Sequence, residues 1–183
     1  MSKAYYIVTG ANGSIGKAIT EALAAQGLPV VMACRNIAKS QPVQQRIIEE
    51  TGNPEVVLRP LDLASMKSIA QFCKQLTQER VAIKALVNNA GVMCKSFGQT
   101  VDGFEMTVGV NYIGTVALTR WLLPLMPSGS RIVTTTSLTR YIGKIDNSFF
   151  DYSPRNYKRF KAYSRSKLAL TLYTARLSQE LQP

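Results

Sequence analysis

The chain has 183 residues, of which 46% are hydrophobic, so it is long enough and apolar enough to bury a substantial core. It carries 22 Lys and Arg against 11 Asp and Glu, a net charge of +11, and no histidine. The absence of histidine excludes a histidine-dependent hydrolase triad within the chain, so proton transfer must use Tyr, Lys, Asp, Glu or Cys.

Short apolar runs rich in β-branched residues alternate with helical patterns along the chain. Strands are predicted at 4–9, 29–34, 55–63, 83–89 and 130–137. Apolar residues at steps of three and four from Ile15 to Leu23 predict the first helix, and further helices are predicted at 65–79, 102–126 and 160–181. Asp102 and Glu105 form a capping pair ahead of the helix at 102–126. The alternation predicts a doubly wound parallel sheet with helices on both faces, in one domain over 1–183.

A glycine-rich segment, TGANGSIG at 9–16, joins the first strand to the first helix. Backbone amides in such a loop, together with the positive end of the helix dipole, suit a pyrophosphate. The spacing of Gly10, Gly13 and Gly16 is GxxGxxG, not the common GxGxxG fingerprint. Glycines also serve tight turns alone, but the position after the first strand favours a nucleotide site.

Arg35 follows the second predicted strand, and no Asp or Glu occurs between Val30 and Val43. An acidic residue here would bind a ribose 2′-hydroxyl, whereas arginine can bind a 2′-phosphate. The sequence therefore favours NADP(H) over NAD(H), against the alternative that Arg35 is merely solvated.

The segment YSRSK places Tyr163 and Lys167 four residues apart, on one face of the last predicted helix. Alone, this spacing is usually an ordinary exposed pair. An ammonium near a phenol favours its ionised form, however, so the pair also suits acid–base chemistry.

Six features occur in the order of the short-chain dehydrogenase/reductase family: TGANGSIG, Asp62, NNAG at 88–91, Asn111, Ser137 and YSRSK. The chain resembles that family over essentially its whole length. The segments MACRN at 32–36, LDLAS at 61–65 and DGFEMTVGVN at 102–111 are most similar to the retinol dehydrogenase and protochlorophyllide reductase group. The resemblance implies a Rossmann-type fold.

The resemblance also implies a catalytic tetrad. Tyr163 would exchange a proton with the substrate oxygen, and Ser137 would hold that oxygen by a hydrogen bond. Lys167 would favour the ionised tyrosine and bind the nicotinamide ribose, and Asn111 would hold a water that relays protons, unless it is a helix amide bonded to backbone. The implied cofactor contacts are Gly10, Asn12, Gly13, Ser14, Ile15, Gly16, Arg35, Asn36, Asp62, Leu63, Asn88, Ala90, Gly91, Tyr163 and Lys167.

The chain departs from the family pattern at three places. The usual TGxxxGxG has glycine where this chain has Ser14, so the glycine is displaced to Gly13. Tyr112 and Thr115 stand where the related group often has histidine. The interval between Ser137 and Tyr163 is long, so the basic loop at 140–161 is expected to carry a family-specific feature.

We expect an NADP(H)-dependent oxidoreductase that transfers a hydride between nicotinamide and a carbonyl or alcohol. The alternative is a non-catalytic NADP(H)-binding relative or fragment. The chain stops at SQELQP, where the family would continue with two more strands. The C-terminal strands are therefore expected to be missing, which would leave the fifth strand with an open edge.

The expected partner is a small, apolar carbonyl or alcohol substrate. Apolar residues suggest this, although they are equally consistent with a core: Met93, Phe97, Phe149 and Phe150. The helices at 102–126 and 160–181 are candidates for a homodimer interface. The basic residues are scattered apart from a cluster at 155–161, so no nucleic-acid partner is expected.

Cysteine use and the N-terminus bear on metal and compartment. Cys34, Cys73 and Cys94 are odd in number and lack CxxC spacing, which predicts neither a disulfide framework nor a metal site. The segment MSKAYYIVTG leads directly into the glycine loop, and no apolar stretch reaches 18 residues. We expect a cytoplasmic protein without a membrane span.

Overall fold

The computed structural model describes residues 4–182. These residues form two compact units. The first runs through Asp62 and also contains Lys67–Ala90 and Leu118–Thr135, and the second contains Leu63–Met66, Gly91–Ala117 and the chain from Thr136 onward. The predicted domain, 1–183, includes residues 1–3 and 183, which lie outside the described residues.

The first unit contains a five-stranded parallel sheet. Its strands are β1 (Ala4–Thr9), β2 (Val30–Cys34), β3 (Val56–Pro60), β4 (Ala82–Asn88) and β5 (Arg131–Thr134). Their order is β3-β2-β1-β4-β5, so the chain builds outward from β1 to one edge and then returns to build the other side. This reversal defines a doubly wound, Rossmann-type sheet, as predicted. Among the described residues, β5 pairs with β4 alone and is an edge strand.

The central strands of this sheet are largely buried. All five residues of β2 are buried, as expected for a strand covered on both sides. On one face, Val8 and Met32 pack in a cluster with Ala24 of α1 (Ser14–Ala24) and Ile47 of α2 (Ile37–Thr51). The helix α3 (Met66–Gln78) buries apolar residues at helical spacing.

The helix α2 was not predicted from the sequence. The Asn36 side chain caps it by accepting a hydrogen bond from the Lys39 amide at 3.0 Å. Pro42 lies inside its second turn, where proline is usually a signal against a helix. β3 is shorter than predicted and ends at Pro60, whose nitrogen has no hydrogen to donate.

The predicted helix at 102–126 is divided into short segments. These are α4 (Met106–Val108), a π-helical turn (Gly109–Gly114), α5 (Thr115–Leu122) and a 3-10 turn (Leu123–Leu125). Glu105 caps α4 by accepting from the amides of Thr107 and Val108, both at 2.8 Å. Asp102 is not part of this cap, because its carboxylate accepts from the Met66 amide at 2.9 Å.

The helix α6 (Arg159–Glu180) is the long element of the second unit. A 3-10 turn (Leu138–Ile142) follows Ser137 and packs against α6. Phe149 is buried with Val108 and Ala169 and is therefore a core residue, whereas Phe150 is 62% exposed. Among residues 4–182, no helix has the length and apolar character needed to span a bilayer.

Candidate active site

The glycine loop of the first unit presents the N-terminus of α1. Gly13 precedes the helix, no side chain caps it, and its first turn contains no acidic residue. Asn12, Gly13, Ser14 and Ile15 are exposed. Because the first amides of a helix have no partner within it, this terminus fits a pyrophosphate.

Two glycines in this loop are required by the backbone. Gly10 has a φ of +61°, a conformation that favours glycine, and it lies against Ala90. A Cβ on Gly16 would lie 2.3 Å from the Gly10 oxygen and 2.7 Å from Asn89 Nδ2. The loop therefore owes its close packing to glycine at both positions.

Thr9 and Asn89 join the glycine loop to the NNAG segment. The Thr9 hydroxyl accepts from the amides of Asn89 and Ala90, each at 3.0 Å, and Asn89 Nδ2 donates to the Thr9 oxygen at 2.9 Å. Asn88 is buried, and its Nδ2 donates to Thr119 Oγ1 at 2.9 Å. The bonds of Thr9 hold the carboxyl ends of β1 and β4 together, and the bond of Asn88 joins β4 to α5.

The other predicted nucleotide contacts lie at the carboxyl ends of β2 and β3. Arg35 is exposed directly after β2. Asn36 has a structural role as the cap of α2. The Asp62 amide donates to Ser68 Oγ at 2.9 Å, and Leu63, the first residue of the second unit, is buried.

In the second unit, α6 carries both Tyr163 and Lys167. The Nζ atom of Lys167 lies 5.8 Å from the centroid of the Tyr163 ring. Lys167 is only 3% exposed, and burial lowers the pKa of its ammonium below the usual 10.5. A Cβ on Gly91 would lie 3.3 Å from this Nζ and 3.4 Å from Asn111 Oδ1, so a side chain at this position would crowd both atoms.

Asn111 lies in the π-helical turn and is fully buried. Its Oδ1 accepts from the Val92 amide at 2.7 Å, and its Nδ2 donates to the Val92 oxygen at 2.9 Å and to Ser166 Oγ at 3.0 Å. Ser166 in turn donates to the Tyr163 oxygen at 2.7 Å. The Asn111 side chain therefore connects the segment after NNAG to the helical turn that carries Tyr163.

Ser137 lies between two contacts that hold its segment along α6. On one side, Thr136 and Thr171 share a hydrogen bond of 2.8 Å, and Thr171 also donates to the Lys167 oxygen. On the other side, a Cβ on Gly143 would lie 2.7 Å from the Ser164 oxygen. The four predicted tetrad residues thus all belong to the second unit.

Arg165 anchors the loop before α6. It is 2% exposed, and its guanidinium donates to the Ser148 oxygen at 2.9 Å and to both carboxylate oxygens of Asp146, at 2.8 and 2.7 Å. The Ser148 hydroxyl and amide, together with Arg165, hold the pKa of Asp146 below its usual range. Arg165 stands inside YSRSK, but its role was not predicted from the sequence.

Sequence reasoning also missed Thr9, Asn89, Thr139 and Ser166. Thr9, Asn89 and Ser166 stand inside the motifs TGANGSIG, NNAG and YSRSK, and membership of a motif was the one signal that could have found them. No sequence signal pointed to Thr139. Within residues 4–182, no group of three or more His, Cys, Asp or Glu side chains is placed to hold a metal ion.

The chain matches the model of a known protein family. The family model for short chain dehydrogenases matches residues 4–183. Retinol dehydrogenase 13 from Homo sapiens is 42% identical over 178 residues, which cover 96% of this chain and 54% of the relative.

Two solved structures show the same fold. The crystal structure of an uncharacterized protein from Mycobacterium paratuberculosis is 33% identical, has a TM-score of 0.87, and the match covers 98% of this chain and 63% of that one. A protein from Escherichia coli CFT073, described as a short chain dehydrogenase and complexed with NADPH, is 24% identical with a TM-score of 0.78, over 100% of this chain and 73% of that one.

The chain spans about half the length of the curated relatives it matches. The family match extends over nearly all of the chain and includes both the glycine loop and the tetrad helix. The chain belongs to the short chain dehydrogenase family.

Proposed function

We propose that the protein is an NADP(H)-dependent oxidoreductase that transfers a hydride between nicotinamide and a carbonyl or alcohol, with Tyr163 as general acid and base. The observation that carries this proposal is the arrangement around α6. Tyr163 and a buried Lys167 share one face of the helix, with Asn111 bonded into the same turn and Ser137 held alongside. A nucleotide-binding protein without turnover has no need of this arrangement.

In carbonyl reduction, the bound nicotinamide would supply the hydride. Tyr163 donates its phenolic proton to the substrate oxygen as negative charge develops there. Ser137 donates a hydrogen bond to the same oxygen and so stabilises that charge. The Lys167 ammonium favours the tyrosinate that remains.

The glycine loop would hold the pyrophosphate at the uncapped N-terminus of α1, where amides and the helix dipole favour an anion. Arg35, exposed at the end of β2, would bind the 2′-phosphate of NADP(H). The charge of the protein, +11, also favours the more anionic nucleotide.

Titration of the full-length protein with NADPH and with NADH, followed by fluorescence, tests the cofactor. Arg35→Ala should weaken NADPH binding about 10- to 100-fold, because it removes charge-assisted hydrogen bonds, and should leave NADH binding nearly unchanged. Arg155→Ala is the matched control, since Arg155 is also exposed. Equal loss with both arginine variants would exclude a specific phosphate contact.

Turnover is tested with a panel of apolar aldehydes and ketones, by following the loss of NADPH absorbance. Tyr163→Phe should lower kcat at saturating NADPH at least about 100-fold, because it removes the proton donor. Tyr141→Phe, on an exposed tyrosine, is the control. A folded wild-type protein that binds NADPH and reduces none of these carbonyls would instead support the non-catalytic alternative.

A further inference from the structure

Two hydrogen bonds from one residue converge on the Ser137 hydroxyl. The Thr139 amide donates to Ser137 Oγ at 3.2 Å, and the Thr139 hydroxyl donates to the same oxygen at 3.0 Å. The amide bond caps the 3-10 turn that begins at Leu138. The hydroxyl bond adds nothing to that cap, so it calls for a different explanation.

A serine hydroxyl has one proton to donate and two lone pairs that accept. The Thr139 amide and hydroxyl together occupy both lone pairs of Ser137. The capacity that remains is the serine's own proton, which is therefore directed away from Thr139. Ser137 is therefore oriented as a hydrogen-bond donor, and neither of its lone pairs is left to accept another hydrogen bond.

We propose that Thr139 is a positioning residue that fixes Ser137 as a hydrogen-bond donor to the substrate oxygen. The inference rests on the proposed function, in which Ser137 holds the oxygen that Tyr163 protonates. A preset donor costs no reorientation as charge develops on that oxygen, so its effect is larger in the transition state than in substrate binding. It also gives a preference for substrates that present a free acceptor, as a carbonyl does.

The test uses Thr139→Val, which keeps the branched shape and the backbone amide and removes only the hydroxyl. On the best carbonyl of the panel, kcat should fall about 3- to 15-fold, the range for one lost hydrogen bond, while KM changes by less than about 2-fold. Thr139→Ser restores the hydroxyl and should return kcat to within about 2-fold of wild type. An unchanged kcat in Thr139→Val, or no recovery in Thr139→Ser, overturns the proposal.

A double-mutant cycle separates positioning from a general structural effect. If Thr139 acts through Ser137, adding Thr139→Val to a Ser137→Ala protein should produce no further loss of kcat. The same loss in both backgrounds would show that Thr139 acts elsewhere. Tyr163→Phe is measured in the same assay. If Tyr163→Phe retains activity, the proposed function fails. If Tyr163→Phe is inactive and Thr139→Val has the kcat of the wild type, the role of Thr139 is excluded and the proposed function stands.

Discussion

Replacing Asn111 with alanine removes three hydrogen bonds from one fully buried side chain. Both backbone groups of Val92 lose their partner, and Ser166 Oγ loses a donor. Each lost bond costs about 1 kcal/mol, and more where the remaining group stays buried, so the free energy of unfolding should fall by roughly 2–4 kcal/mol. For a chain of this length, that corresponds to a fall in Tm of roughly 5–15 °C.

The assay is urea unfolding of the full-length protein, with Asn147→Ala as the matched control. Asn147 is exposed, so its replacement should change stability by no more than about 0.5 kcal/mol. Asn111→Asp is a second variant, because it keeps the shape but replaces two donations with a buried negative charge, and it should destabilise at least as much as alanine. If Asn111→Ala unfolds at the same urea concentration as the control, the side chain has no architectural role and the reasoning is wrong.

Three further predictions concern other parts of the molecule. Because burial lowers the pKa of Lys167 in the folded chain, the unfolded chain binds more protons between that pKa and 10.5, and stability gains from Lys167 as pH rises there. The free energy of unfolding, measured in urea, should therefore be higher for Lys167→Met than for wild type near neutral pH, and this difference should shrink toward pH 10.5. A difference that does not change with pH would contradict this. Iodoacetamide should label the half-buried Cys94 well before Cys73, whose pKa burial raises to about 12, as read by mass spectrometry; equal labelling rates would refute it. Gly16→Ala should abolish NADPH binding, because its Cβ would lie 2.3 Å from a backbone oxygen, whereas Gly98→Ala, with open space around it, should bind normally.

The sheet could be predicted from the sequence because its strands are short, apolar and separated by helical patterns. Hydrophobic period is a local property, and all five strands were found with errors only at their ends. The π-helical turn could not be predicted in this way. The turn takes part in a tertiary contact, since Gly114 lies so close to the Leu63 oxygen that a Cβ would clash with it. A single sequence does not display that approach.

The candidate site shows the same division. Tyr163 and Lys167 were found because the helical period places them on one face. The hydrogen-bond partners of the tetrad were not predicted. The roles of Ser166 and Thr139 depend on the side chains that they contact in the folded chain, which are Asn111 and Ser137. Serine and threonine are common, and nothing in their spacing distinguishes a bonded hydroxyl from a solvated one. Whether the tetrad catalyses a reaction stays a prediction until the substitutions above are made.

The Arg165 anchor bears on how much sequence change the loop before α6 tolerates. Arg165 stands between Tyr163 and Lys167 in the sequence, and its buried guanidinium donates hydrogen bonds to Asp146 and Ser148. The loop is attached to α6 at this point by the hydrogen bonds of Arg165. Its sequence can therefore vary on either side of Asp146 and Ser148 while these bonds persist. Ile145, which is exposed beside this attachment, can therefore be exchanged while the helix stays in place, whereas Phe150 also packs against the ring of the buried Phe149.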